Sequence, residues 1–227
     1  RQIRMYTGAT PEPDYVPIQP PAQLERMAAG VRRLAADLDD AAVIPLHSAT
    51  QPGAQPGVID GIRLLDAQVL SRKIDDPESV RGGAIFCPAP PPASCYLAES
   101  HLYVATPALL RYLGIDPAEV DPSTDFVVDP AVRTNELVTV SMERTSKSLL
   151  REPQVTERAV TNVLRIDSRK LFGSPSCETA PAPTSFITLD GLRRRGLSQI
   201  PSGWLVESSW QLAREQIAKV RDLVVAG

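Results

Sequence analysis

His101-Leu-Tyr-Val-Ala-Thr-Pro-Ala-Leu-Leu-Arg-Tyr-Leu-Gly114 reads as a strand, a cap and a short helix in one run. His101 to Ala105 alternates as a strand does. Thr106 is placed to cap the first orphan amides of a helix. Pro107 fits the first helical position, where a missing N–H costs nothing. Gly114 can take the left-handed conformation that closes the helix. Asp116-Pro117 and Asp121-Pro122 then open tight turns. A strand feeding directly into a helix, repeated irregularly along the chain, points to an α+β or mixed α/β domain.

Outward from this stretch the same signals recur. Residues 22–40 form the longest helical pattern, with Leu24, Met27, Val31, Leu34 and Leu38 at helical spacing. Val43–Leu46 reads as a strand. Residues 50–61 carry Gly53, Gly57 and Gly61 among prolines and read as a loop. Ile62–Leu70 is a strand or short helix, and Ala84–Phe86 a short strand in an otherwise irregular 75–95. Phe126–Val128 and Leu137–Met142 read as strands, and Arg151–Ile166 stays ambiguous between helix and strand. Phe186–Leu189 is a short strand. Asp190 is placed to cap a helix through Arg195, with Gly196 ending it. Trp204–Glu207 is a strand and Gln211–Val225 a final amphipathic helix. No internal repeat of fixed period stands out.

Residues 1–21 are polar and proline-rich and read as an extended lead-in segment, followed by an α+β domain over 22–227. Two lobes are one way to divide it: 22–83 with 186–227, and 84–185. The chain starts at Arg1 and not at Met, and is read as an excerpt or a processed product.

Composition excludes several function classes. The formal net charge is −3, so nothing attracts a polyanion globally and nucleic acid is not an expected partner. Arg193, Arg194 and Arg195 are the strongest basic cluster and suit the negative end of a short helix. No apolar run approaches the ~18–20 residues that cross a bilayer. Phosphate-loop, dinucleotide, nucleophile-elbow and zinc-protease motifs are all missing. His47 and His101 lie apart and read as strand-end residues. Asp116, Asp121 and Asp125 do not match a calcium loop and read as turn and cap residues. Asp37, Asp39 and Asp40 close the first helix on a solvated face. No catalytic, cofactor-binding or metal-binding residue is therefore assigned, and no cofactor is expected.

Three cysteines are present, Cys87, Cys95 and Cys177. Cys87 and Cys95 bracket a proline-rich loop and are the candidate disulfide. Closing a loop of about nine residues contributes roughly 2.6 kcal/mol in the chain-entropy model, and would place the domain in an oxidising compartment. The alternative is three thiols packed as small hydrophobes.

Two stretches carry a family resemblance. His101 to Pro122 resembles the strand, Thr-Pro and leucine-rich helix of the large extracytoplasmic regions of FtsX-like (MacB-type) ABC-transporter permeases from high-GC Gram-positive bacteria. Ser185 to Leu197, Pro201 to Glu207 and Leu212 to Ala218 look like the same family's segment leading through a Gly-Trp-Leu strand into a last helix. The resemblance lies within residues 84–227 and does not reach Tyr6–Pro21. It departs at Gln211-Leu212-Ala213, where the family often has Pro-Leu-Thr.

The resemblance implies a non-catalytic domain on the extracytoplasmic side of the cell membrane. Its partners would be the permease's own transmembrane helices, a cytoplasmic ATP-binding subunit, and a second permease copy or an extracellular partner. It further implies that Arg1–Thr7 and Leu212–Gly227 lie nearest the membrane, with the last helix as a lever. The alternative function is a secreted or surface-anchored binding protein with no transport role.

Overall fold

The computed structural model describes residues 2–6, 15–38, 41–54, 57–59, 62–66, 68–75, 85–86, 95–128, 136–141, 154–166, 185–207 and 215. The fold is α+β, and the described residues build three sheets. The largest has seven strands in the order β1 (Gln2–Tyr6), β15 (Ser198–Glu207), β3 (Ala42–Thr50), β9 (Tyr103–Ala105), β14 (Ser185–Thr188), β10 (Phe126–Val128) and β13 (Val163–Arg165). It is mixed: β9 runs parallel to β14, and β10 to β13, while the other pairs are antiparallel. A five-stranded sheet orders β12 (Gln154–Ala159), β11 (Glu136–Ser141), β6 (Gln68–Ile74), β8 (Cys95–His101) and β7 (Ile85–Phe86). β2 (Tyr15–Pro17), β5 (Ile62–Asp66) and β4 (Gly57–Ile59) make a small third sheet.

Side chains alternate across a strand, and this sorts the core into two faces of the seven-stranded sheet. On one face Val104, Phe126, Val128 and Ile187 pack with Leu70 and Leu102. On the other, Ala105, Val127, Phe186, Ile44, Leu46 and Leu205 form a second cluster. Helix α2 (Pro107–Tyr112) covers that second face with Leu109 and Leu110, and Leu113 follows them. Helix α3 (Leu189–Arg194) covers the first with Leu192, and Leu197 follows it. The long helix α1 (Pro21–Asp37) lays Val31, Leu34, Ala35 and the following Leu38 against Val206 and Trp204 of β15. Burying each such aliphatic contributes about 1.5–3 kcal/mol before ordering entropy is subtracted.

α2 and α3 repeat one device. A threonine hydroxyl caps each: Thr106 Oγ1 accepts from the Leu109 amide at 3.3 Å, and Thr188 Oγ1 from Gly191 at 2.9 Å. Each six-residue helix then closes on a left-handed glycine, Gly114 (φ 72°) or Gly196 (φ 62°). Ile115 N–H reaches back to Leu110 C=O as Leu197 N–H does to Leu192, both at matching distances of 2.9 and 3.0 Å. The strands before them, β9 and β14, are parallel neighbours. A strand–Thr–helix–Gly unit is thus used twice, on opposite faces of one sheet. The repeat escapes a search for fixed sequence period because only the cap, the glycine and the apolar positions are shared. It also moves the second cap: Thr188 serves it, not Asp190, which sits inside the first turn.

Several sequence expectations need correction. The described part of the lead-in segment is not separate, since β1 forms an edge of the seven-stranded sheet and β2 an edge of the small one. The supposed loop 50–61 contains β4. The strand expected over His101–Ala105 is broken at Leu102, where the chain leaves the five-stranded sheet and enters the seven-stranded one. Leu102 donates to Gln68 C=O (3.0 Å) and accepts from Ala49 N–H (2.9 Å), so its peptide groups serve both sheets. The sheets also cut across the two lobes expected from sequence. β3 and β15 of one pair in the same sheet as β9, β10 and β13 of the other, and β6 joins β7, β8, β11 and β12. Within the ambiguous 151–166, Gln154–Ala159 and Val163–Arg165 are strands, β12 and β13. Of the final helix only Glu215 lies among the described residues, and it is helical.

Candidate functional site

The charged centre of the fold is Asp125, just before β10. A carboxylate only 5% exposed must be paired or neutralised, and two arginines pair it. Arg194 Nε and Nη2 reach Asp125 Oδ1 at 2.9 and 2.7 Å. Arg195 Nε and Nη2 reach Oδ2 at 3.2 and 2.9 Å. Both oxygens are used, each held by the Nε and Nη2 of one guanidinium, so two forks close on the carboxylate, one on each oxygen. Further donors go to backbone: Arg194 Nη1 to Pro122 C=O (2.6 Å), its Nη2 to Thr124 C=O (3.0 Å), and Arg195 Nη2 to Ala159 C=O (3.2 Å). The Arg195 guanidinium also lies 4.6 Å from the centroid of the Phe126 ring, a favourable cation–π distance.

Backbone contacts bring Asp125 to this point. Its carbonyl accepts from Thr188 N–H at 2.8 Å, and its amide donates to Asn162 C=O at 2.9 Å. Thr188 Oγ1 donates to Thr124 C=O at 2.7 Å while capping α3. Gly191 lets α3 come this close. A Cβ at Gly191 would stand 2.6 Å from the Asp125 carbonyl oxygen and 2.8 Å from its Cα. Asn162 takes a left-handed φ of 55°, which asparagine tolerates better than most residues.

The three arginines end the short helix α3 as expected from sequence, but they do not act as one cluster. Successive helical residues step about 100° around the axis, so three in a row cannot share a face. Arg193 points to solvent, 73% exposed, and pairs Asp190 one turn back at 2.8 Å. Arg194 and Arg195 turn toward Asp125. The acidic residues divide in the same way. Asp116 Oδ1 accepts from Ala118 N–H at 2.9 Å, and Asp121 Oδ1 from Ser123 N–H at 2.7 Å, which are the turn roles expected from sequence. Asp121 is held below the usual carboxylate range by those Ser123 hydrogen bonds, with a smaller push from Arg194. Asp125 departs from that expectation and is an ion-pair hub.

Cap removal separates the two helices. Thr106→Ala is expected to cost about 1 kcal/mol, a typical cap loss. Thr188→Ala loses a cap and also the bond to Thr124, so its cost is expected to be about 2 kcal/mol. Urea melts of the two variants check the order, and equal losses would remove the tie to Thr124 from this account.

His47 lies on β3 opposite Pro201 of β15, beside the irregularity between Pro201 and Gly203. Its Nδ1 is buried without a hydrogen-bond partner, and burial lowers its pKa below the ordinary 6.5. The folded protein therefore binds fewer protons at this site than the unfolded chain does. Stability contributed by the neutral ring is present above about pH 6.5 and falls as pH drops below it. Denaturant midpoints at pH 7 and pH 5.5 should fall more in the wild type than in His47→Gln. Parallel falls would exclude His47 as the source.

His101 ends β8 opposite Val69, so the two histidines fall in different sheets. Asp37 is the exposed last residue of α1, while Asp39 and Asp40 lie outside the described residues. Cys95 opens β8 opposite Ile74 and is disulfide-bonded. Its expected partner Cys87, and Cys177, both lie outside the described residues. Among the described residues no three His, Cys, Asp or Glu side chains are grouped as metal ligands are, and no helix is long and apolar enough to cross a membrane.

Sequence reasoning missed the Asp125 hub because its partners lie some seventy positions away and each residue has a sufficient local explanation. The ends of the described sheet form the second notable arrangement. β1 and β15 are antiparallel, with Gln2 opposite Glu207 and Tyr6 opposite Gly203. Partners across such a pair have Cα atoms about 4.5–5.5 Å apart, so the chain enters and leaves this sheet side by side. No protein-family model, curated protein or solved structure matches this chain.

Proposed function

We propose that this chain is the extracytoplasmic domain of an FtsX-like (MacB-type) ABC-transporter permease. It couples ATP-driven motion of membrane helices to a substrate or partner outside the membrane. The observation that carries the reading is the pairing of β1 with β15, Gln2 opposite Glu207. A domain borne on two membrane helices needs its entry and exit strands adjacent. Adjacent entry and exit strands deliver both connections to one end of the sheet, as helices packed about 8–10 Å apart would require. The antiparallel pair also joins both connections by hydrogen bonds, so a displacement of either acts on the same sheet edge. β15 passes that displacement to β3 along nine residues of register, and β3 to β9 at Ser48–Tyr103. The bonded Cys95 fits an oxidising, extracytoplasmic setting.

In this reading the domain is non-catalytic. ATP hydrolysis belongs to a cytoplasmic subunit, and the other partners are the permease's own helices and a second copy or an extracellular partner. The test is affinity purification of the native full-length protein from detergent-solubilised membranes, using a binder to this domain. A nucleotide-binding subunit with ATPase activity is expected to co-purify. Recovery from membranes with no ATP-hydrolysing partner would overturn the coupling role.

A further inference from the structure

We propose that Arg195, acting through Asp125 and Ala159, is a latch that fixes the five-stranded sheet against the seven-stranded one. Two described passages carry the chain between these sheets. One is Leu102, between β8 and β9, whose amide and carbonyl bond to Gln68 and Ala49. The other is 160–162, between β12 and β13. The first passage is a single buried residue with its peptide groups bonded on both sides. The second is three residues long, with Thr161 and Asn162 exposed.

Among the described residues, the second passage is held by Val160 packing against the core and by hydrogen bonds at its two ends. Asn162 C=O accepts from Asp125 N–H (2.9 Å) and Phe126 N–H (3.3 Å), which secures its seven-stranded end. Its five-stranded end is Ala159, the last residue of β12, opposite Glu136 of β11. There the Arg195 Nη2 donates to Ala159 C=O at 3.2 Å while holding Asp125 Oδ2 at 2.9 Å. One guanidinium, 12% exposed, thus spans both sheets. Among the described residues Arg194 makes no such bridge, since its bonds go to Asp125, Pro122 and Thr124, all on the seven-stranded side. The two arginines share one carboxylate but divide the work. Arg194 seats α3 on the turn before β10, and Arg195 ties that seat to β12. Releasing Arg195 leaves β12, an edge strand paired among the described residues only with β11, to open locally at that edge. This inference does not rest on the permease reading, although within it the latch would set how motion reaches the outer sheet.

Native-state amide exchange on the full chain tests it in Arg195→Gln, Arg194→Gln and the charge-keeping Arg195→Lys. In Arg195→Gln, β11–β12 amides such as Val138 and Val155 are expected to exchange about tenfold or more faster, with β3 and β15 amides such as Ile44 and Leu205 nearly unchanged. Arg195→Lys, which keeps the charge but loses the planar fork, should fall between, and it serves as the readout if the glutamine variant does not fold. Arg194→Gln should leave β11–β12 as in the wild type. Equal acceleration in both sheets, no acceleration in either, or the same β12 response to Arg194→Gln would overturn the latch.

Discussion

Replacing Asp125 with alanine is expected to destabilise the protein by about 3–5 kcal/mol, the range for breaking a buried ion pair from one side. The loss comes mostly from what remains. Arg195 is nearly buried, and without the carboxylate its charge loses its charged partner while it keeps the Ala159 carbonyl and the Phe126 ring. Arg194 is nearly half exposed and retains two backbone carbonyls, so it can turn to water at lower cost. For a chain of this size each kcal/mol shifts Tm by about 2–4 °C, so the melting temperature should fall on the order of 10 °C. Asp125→Asn keeps the shape and one acceptor and should recover part of that loss. Arg193→Ala is the control. Its pair with Asp190 is at the surface, and such pairs contribute at most about 1 kcal/mol. Thermal melts of the three variants check the order. A loss at Asp125 no larger than at Arg193 would mean the double fork is not held in solution.

Gly191→Ala is expected to be the second severe change, at about 3 kcal/mol, the upper end of ordinary overpacking. The added methyl would meet the Asp125 carbonyl oxygen and Cα, which are backbone and cannot swing aside. Relief requires α3 to lift from the strand end. That stretches the Thr188–Asp125 bond and both arginine forks together, so the cost is shared by the whole hub. Gly114 and Gly196 provide the contrast. A Cβ at either would meet nothing within 4 Å, but both have left-handed φ. Alanine there should cost about 1–2 kcal/mol, from backbone strain alone. Tm values of the three variants distinguish crowding from strain, and a Gly191 loss equal to the other two would show that α3 rises without resistance.

These contrasts also mark what the sequence makes legible. The strand, Thr106 cap, Pro107 and Gly114 around α2 are readable because each signal acts within one or two helical turns of its neighbours. α1 is readable for a similar reason, since Val31, Leu34 and Leu38 repeat on one face and are the residues buried there. α3 is half readable. Gly196 closes it as expected, but Thr188 and Asp190 are both able caps, and the choice is made by Thr124 and Asp125 from across the fold. β1 is obscured by the prolines that follow it, and an edge strand shows no local sign of its partner. The break at Leu102 is hidden because an apolar residue suits either sheet, and only the hydrogen bonds to Gln68 and Ala49 show that it serves both. The Asp125 hub depends on pairing across the chain, for which composition and periodicity carry no signal.

The proposed role makes the position of the protein in the cell its most direct test. Cells producing the native full-length protein would be fractionated, and the fractions probed with an antibody raised against this domain. The permease account predicts one band well above 24.6 kDa, confined to membranes and removed by protease added outside intact cells. A band near 24.6 kDa in the soluble or secreted fraction would contradict it, leaving a free or surface-anchored binding protein as the reading to pursue.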